Sequence, residues 1–326
     1  MAKKRFVRPT NKASRITRIS KGFRIRTYEP PPPGFNPLTA SPRLLLRYGF
    51  PTRPDAKTAP ELFKRWEAAF AGPRTWITPE FREVKGKHHG PAKRLGERAR
   101  VKPAEVRIAN ATSNNWSGSV ASPPPGHTFG WVAGQWTVPN PHASGLGDFY
   151  ASEWIGIDGW GSGDVLQAGT DTDIFGIFNT RQIYAWWEWF PHDEVAISNL
   201  PVSAGDTMYC LICVNSTTTA TVYISNQSTG VLLTPFTITA PSGTTLVGNS
   251  AEWIVERPTV NGVLTSLADY KVDYFDEGIA GLSGVFQIVT LGSGTPVTMT
   301  GNNNAPLSVP TFETDQLMKM NWLKAN

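Results

Sequence analysis

From about Ser113 to its C-terminus the chain runs in short stretches of alternating β-branched and aromatic residues. Turn sequences such as Pro123-Pro124-Pro125-Gly126, Ser203-Ala204-Gly205-Asp206 and Asn226-Gln227-Ser228-Thr229-Gly230 break them up. Alternate residues of a strand point to opposite faces, so such stretches bury one face and leave the other for a second purpose. Many short strands with turn signals and no helical periodicity predict an all-β fold, a sandwich of two antiparallel sheets. No internal repeat is evident. A length of 326 residues suits one large β domain with an accessory segment, since sandwiches and barrels often exceed two hundred residues.

That accessory segment has its own chemistry. Residues 1–110 carry 26 Lys/Arg against 8 Asp/Glu, or +18, and residues 111–326 carry 5 against 18, or −13. The two parts are electrostatic complements. The asymmetry fits either an anionic partner or a basic segment docked on its own acidic domain. Ten basic residues and no acidic one lie between Lys3 and Arg26, which reads as a solvated, disordered tail. Neither interleaved aromatics nor a binding fold supports a nucleic-acid partner. The Pro30–Pro33 run reads as a stiff extended spacer. A short helix is predicted near 59–71, with Thr58 and Glu61 as a capping box, Gly72-Pro73 as the stop, and Leu62, Trp66, Ala69 and Phe70 as a stripe that packs on the main domain. Residues 85–107, with Lys85, Lys87, His88, His89, Lys93 and Arg94, read as an exposed linker. The domain division is therefore 1–110 and 111–326.

Within the β domain, four strands carry an apolar face and an unusual second one. Ser250–Arg257 puts Ala251, Trp253 and Val255 on one side and Ser250, Glu252, Ile254 and Glu256 on the other. Glu153–Asp158 opposes Ile155 and Ile157 to Trp154, Gly156 and Asp158. Gln182–Trp189 opposes Ile183, Ala185, Trp187 and Trp189 to Tyr184, Trp186 and Glu188, and Val165–Gly169 turns Gln167 away from Leu166 and Ala168. A polar, solvated sheet face needs no function. Large aromatics among the carboxylates point instead to a concave cleft lined by aromatic walls around a few convergent polar groups. Glu252 is the focus, because an unpaired buried carboxylate must be paired, solvated or shifted in pKa.

Other chemistries find no support. No Gly-rich phosphate loop or Gly-x-Ser-x-Gly elbow occurs, and His88, His89, His127, His142 and His192 lack helical metal spacing, so no metal and no cofactor is expected. Cys210 and Cys213 face opposite ways on one strand and read as inert core thiols. No apolar run reaches the roughly 18 residues of a membrane-spanning helix, and no apolar signal region follows the basic N-terminus.

At Asn115-Trp116-Ser117-Gly118, Trp154–Gly159, Leu166-Gln167-Ala168-Gly169, Ala185–Pro191 and Ala251–Glu256 the sequence resembles the glutamic peptidases, or eqolisins, from about Asn115 to the C-terminus. The resemblance implies a jelly-roll or concanavalin-like sandwich and a pepstatin-insensitive acid endopeptidase. Its catalytic pair by motif position is Gln167 and Glu252, sharing one water, with Trp116, Trp154, Asp158, Asp171, Tyr184, Trp186 and Glu188 around them. Tyr184 stands where the family commonly has an acidic residue. Peptide hydrolysis needs a base for water and a donor for the developing oxyanion, roles suited to a carboxylate and an amide. The resemblance further implies a secreted precursor, acting as a monomer on protein or peptide substrates, whose basic segment is a propeptide. Two other readings remain: a glycoside hydrolase using Glu188 and Glu252, with tryptophans stacking sugars, and a non-catalytic carbohydrate- or peptide-binding sandwich.

Overall fold

The computed structural model describes residues 14–19, 22–72, 74–91, 111–241 and 243–326. The alternation of the β region resolves into two antiparallel sheets. The first runs in the order Thr295–Thr300, Trp116–Ala121, Ala251–Glu256, Ser152–Asp158, Val165–Phe175, Thr180–Phe190, Glu194–Ile197 and Phe81–Val84. The second runs from Pro306–Phe312 and Met318–Trp322 through Val272–Leu282, Phe129–Thr137, Thr207–Ser216 and Thr219–Asn226 to Phe236–Thr239. Pairing of Thr295–Thr300 with Pro306–Phe312 joins them at one edge.

The apolar faces read from the sequence meet in the core between the sheets. Ala251, Trp253, Val255, Ile155, Ile157, Leu166, Ala168, Trp187 and Trp189 pack with Val132, Trp136, Ile212, Val222 and Ile224. Cys210 lies in that core, whereas Cys213 joins the cluster on the far side of its sheet, so the strand does turn the two thiols apart. Among the core-facing residues, Glu153 is an anomaly. It accepts hydrogen bonds from the Thr170 and Thr172 hydroxyls and is buried.

The N-terminal region departs from the sequence reading in three ways. Residues 14–18 and 24–28 are paired strands, not a solvated tail, and Arg24–Tyr28 extends the second sheet beside Phe236–Thr239. The reason is a strand pattern hidden under the charge: Ile25 turns inward while Arg24 and Arg26 face out. The tail residues 1–13 lie outside the described residues. The helix spans Pro60–Phe70, but Ala59 is its N-cap and Thr58 makes no capping bond to it. Asp55 instead accepts from the Lys57 and Thr58 amides and engages the Thr58 hydroxyl, and Pro60 starts the helix with its ring-fixed φ. Trp66, Ala69 and Phe70 are buried, in a cluster with Leu211, Tyr223, Leu232 and Ile279 of the β domain. Third, residues 85–91 are no exposed linker: Lys87, His89 and Gly90 are buried in the cleft. Lys93 and Arg94 lie outside the described residues.

Candidate active site

Register assembles the site. Gly156 stands opposite Gln167 on one side and Glu252 on the other, and Gln167 stands opposite Glu188. Directly paired residues share a face, so Glu252, Gly156, Gln167 and Glu188 form one row across four strands. The next rows are Ile254, Trp154, Gly169 and Trp186, then Glu256, Ser152, Asp171 and Tyr184. Glycine is needed in the middle of this face. A Cβ at Gly169 would come within 2.2 Å of the Glu153 carbonyl oxygen and 2.5 Å of the Trp154 Cβ, and one at Gly156 within 2.9 Å of the Trp154 ring. Trp154 thus lies low across the sheet. It meets Trp116 edge-on at 5.0 Å, and Trp116 in turn stacks on Trp160.

Over this face runs the segment Lys85–Pro91. Its entry is a strand addition, Lys87 and His88 pairing with Val260 and Thr259. Four consecutive backbone groups are then held by four side chains. The His89 amide donates to Glu188 Oε2 at 2.7 Å, and the His89 carbonyl accepts from Gln167 Nε2. The Gly90 amide donates to Glu256 Oε1 at 3.0 Å, and the Gly90 carbonyl accepts from Asn115 Nδ2 at 2.6 Å. Trp154 Nε1 and Asn115 Nδ2 also donate to Glu256, at 2.9 and 2.7 Å. One peptide unit, His89–Gly90, therefore lies between Gln167 and Glu256. No side chain larger than hydrogen fits at Gly90, where a Cβ would reach the Phe190 ring at 2.4 Å.

The side chains of the segment fill the floor. His89 stacks on Trp186 with ring centroids 3.9 Å apart and reaches Glu194 Oε2 at 3.0 Å. The Lys87 ammonium bonds Asp171 and Asp173, the latter at 2.6 Å, and lies 3.8 Å from Glu194 and 3.3 Å from the Tyr184 hydroxyl. His89, Asp171 and Glu194 converge as metal ligands would, but the lysine already supplies the cation in their midst.

Burial and neighbouring charge pull these groups apart. Burial raises Glu188 well above the ordinary carboxylate range, and the charges of Glu256, Glu194 and Asp171 add to this against the His89 amide. Burial likewise raises Glu256, eased by the Gly90, Trp154 and Asn115 donors. Asp171 feels the same burial, but the Lys87 charge, the His89 ring and the hydrogen bonds from Lys87 and Ser152 together outweigh it and hold its carboxyl low. Asp173 is pushed up to about 7, burial outweighing the same lysine, and burial pushes His89 down to about 3.

The sequence-derived site is thus brought together in most of its members. Gln167 and Glu188 bind the peptide backbone directly, Trp186 and Tyr184 contact the side chains of His89 and Lys87, Asp171 pairs with Lys87, and Trp154 and Trp116 form the wall. Two stand aside. Asp158, at φ 72°, accepts from the Val247 and Asn249 amides and pins that loop. Glu252 shares the row of Gln167, yet its carboxylate takes no hydrogen bond within normal geometry and lies beside Ser250 and Asp158. The carboxylate at the peptide unit is Glu256, two pleat repeats further along the same strand face. Asn115, Asp173, Glu194, Lys87 and His89 were also without an assigned role, though Asn115 opens a family-like motif and Asp173 follows Asp171 on the same face.

The family model "Peptidase A4 family" matches residues 114–322. The chain belongs to the peptidase A4 family. Aspergillopepsin-2 of Aspergillus niger is 30% identical over 191 residues, covering 51% of this chain and 65% of the relative. Scytalidopepsin B of Scytalidium lignicola is 29% identical over 169 residues, covering 51% and 61%. The chain thus spans less than two thirds of the length of these curated relatives. In fold it is similar to scytalido-glutamic peptidase, solved with a transition state analog inhibitor, at a TM-score of 0.56 and 21% identity over 64% of this chain and 98% of that one. The two-sheet architecture of the A4 chain is that of this peptidase.

Proposed function

We propose that this A4 chain is an acid-acting endopeptidase in which Gln167 stabilises the oxyanion and Glu256 moves the protons. The reading rests on the His89–Gly90 peptide unit, whose carbonyl accepts from Gln167 and whose amide donates to Glu256. A substrate peptide in this position presents its acyl oxygen to an amide donor and its leaving nitrogen to a carboxylate. Glu256 takes a proton from the attacking water as the new C–O bond forms, and the electron pair of the C=O bond moves to the oxygen held by Gln167. The same proton then passes to the nitrogen as the C–N bond breaks. Trp154 orients Glu256 through its other oxygen, Oε2, and Asn115 donates both to Glu256 Oε1 and to the Gly90 carbonyl. A carboxylate base works best near its own pKa; burial under residues 85–91 raises that of Glu256, so an acidic optimum follows once the segment leaves and water returns to the carboxylate.

Glu256 takes the role that motif position gave to Glu252, and the two substitutions separate them. Glu256→Gln is expected to lower kcat on an unfolded protein at acidic pH by roughly 10²–10⁴, the usual worth of a general acid–base group. Gln167→Ala is expected to cost roughly 10²–10³, the usual worth of an oxyanion donor. Glu252→Gln is expected to keep activity within about threefold. Full activity of Glu256→Gln, or activity of any variant abolished by pepstatin, would sink the assignment. A sugar-cleaving role for Glu188 is disfavoured because its carboxylate binds the His89 backbone amide. By the same reading residues 85–91 are the inhibitory stretch of a precursor in which residues 1–110 form the N-terminal segment and residues 111–326 carry the catalytic pair.

A further inference from the structure

Only residues 85–91 of the described N-terminal region cover the cleft, and what lies before them is built into the sandwich. Thr75–Ile77 lies parallel beside Val231–Leu233, Phe81–Val84 caps the site sheet at Glu194–Ile197, and Arg24–Tyr28 caps the other sheet at Phe236–Thr239. Removing these strands would leave three unpaired edges, each a template for aggregation. The side chains tell the same story. Phe23, Ile25, Leu45, Phe50, Trp66 and Phe70 are each no more than 5% exposed. Phe23 meets Trp187 edge-on at 5.9 Å, Phe70 meets Tyr223 at 5.5 Å, and the Tyr223 hydroxyl donates to the Gly49 carbonyl at 2.9 Å. Without this cover Leu211, Tyr223, Leu232 and Ile279 would form a contiguous exposed apolar face on the sheet opposite the cleft, the kind of patch that marks an interaction surface or an aggregation liability.

We infer that cutting the chain between Pro91 and Ala111 yields a two-chain protein, in which the segment from Ser14 to Val84 stays on the β domain as a structural subunit and only residues 85–91 swing out. The inference goes beyond the peptidase reading and does not depend on it. The contacts that hold the segment are chiefly apolar and backbone contacts, which protonation leaves intact; the partly exposed Arg65–Glu277 pair, at 4.0 Å, adds little to them, whereas the ion pairs of Lys87 belong to the part that must leave. Retention is therefore expected at acidic as well as neutral pH.

The test uses the full chain carrying Gln167→Ala, so that self-cleavage plays no part, with a recognition sequence for an unrelated site-specific protease inserted between Pro91 and Ala111. After complete cutting, seen as two bands under denaturing conditions, the two fragments are expected to co-elute on size exclusion and to appear as one 1:1 complex in native mass spectrometry. This should hold both at about pH 4, where surface carboxylates are partly protonated, and at about pH 7. Adding Lys87→Gln should leave co-elution unchanged, whereas adding Trp66→Ala and Phe70→Ala should release the N-terminal fragment. Separation of the fragments at either pH, with the C-terminal one still folded and monomeric by circular dichroism, would overturn the inference. So would release caused by Lys87→Gln alone, since the hold would then be ionic.

Discussion

Among the described residues Lys87 is the lysine that Asp171, Asp173 and Glu194 share, and its removal tests how the cleft is kept shut. Breaking a buried ion pair by deleting one partner costs roughly 3–5 kcal/mol, because the remaining charge is left uncompensated. Lys87→Met is therefore expected to lower the thermal midpoint at neutral pH and to admit a fluorescent peptide to the cleft of the uncut chain; an unchanged midpoint with the cleft still closed would refute this. In the unmutated chain the sign follows from Asp171. Its folded pKa is lowered by Lys87, so its contribution is present above the unfolded carboxylate value and is lost as pH falls through the folded one. Asp173, raised to about 7, works the other way and loses its contribution as pH rises. Acid thus loosens the Lys87–Asp171 contact. At this scale the sequence was legible in kind but not in position. Alternation put Glu252 and Glu256 on one face, and only the path of the peptide, held by Glu188, Gln167, Glu256 and Asn115, distinguishes the one that touches it. Lys87 and His89 were illegible because burial of a basic residue depends on carboxylates about a hundred residues away in sequence.

Within Lys85–Pro91, the two-residue strand Lys87–His88 adds to Val260 and Thr259, and the chain then crosses the face of Gln167 and Glu188, the way an extended ligand augments a sheet. A synthetic Lys85–Pro91 peptide is expected to inhibit the cut protein competitively. Replacing Lys87 by norleucine should weaken it at least about tenfold, or about 1.4 kcal/mol. Replacing Gly90 by alanine should abolish inhibition, since the added methyl meets the Phe190 ring at 2.4 Å. Equal inhibition by a scrambled peptide would show that charge alone suffices. The strands of the site were legible because each pairs an apolar face with a polar aromatic one. The N-terminal strands were not, because Arg24-Ile25-Arg26 hides a period of two inside a basic run, and because a segment whose order comes from pairing with a distant edge carries little local signal.

For the whole molecule, the balance of buried carboxylates sets the pH at which the fold is most stable. Glu153 on one sheet is raised by burial and then by the charge of Asp273 on the other, and burial raises Asp273 as well. The Glu153 oxygens accept from Thr170 and Thr172, whereas neither Asp273 oxygen has a hydrogen-bond partner within normal geometry. Glu188, Glu194, Glu252 and Glu256 are also raised. A carboxyl whose folded pKa is raised stabilises the fold fully below its unfolded value, and that contribution disappears as pH rises through the folded one. These groups outnumber those that act the other way among the described residues, the lowered carboxyls of Asp171 and the exposed Asp55 and the lowered imidazole of His89. The thermal midpoint is therefore expected to be highest in mild acid and to fall steadily from about pH 5 upward, the reverse of ordinary acid denaturation. Asp273→Asn should remove much of that fall, because an amide of the same shape stays neutral and cannot repel Glu153. Its advantage at about pH 7 should be on the order of 1–3 kcal/mol, the usual cost of an unsatisfied buried polar group, and should vanish at about pH 3, where both carboxyls are protonated in the unmutated chain. Midpoints measured by circular dichroism across that range, for the chain with and without the substitution, decide the matter. A midpoint that is flat or rises toward neutral pH, or an Asp273→Asn chain that gains as much in acid as at neutral pH, would mean that the pair across the core does not hold a proton.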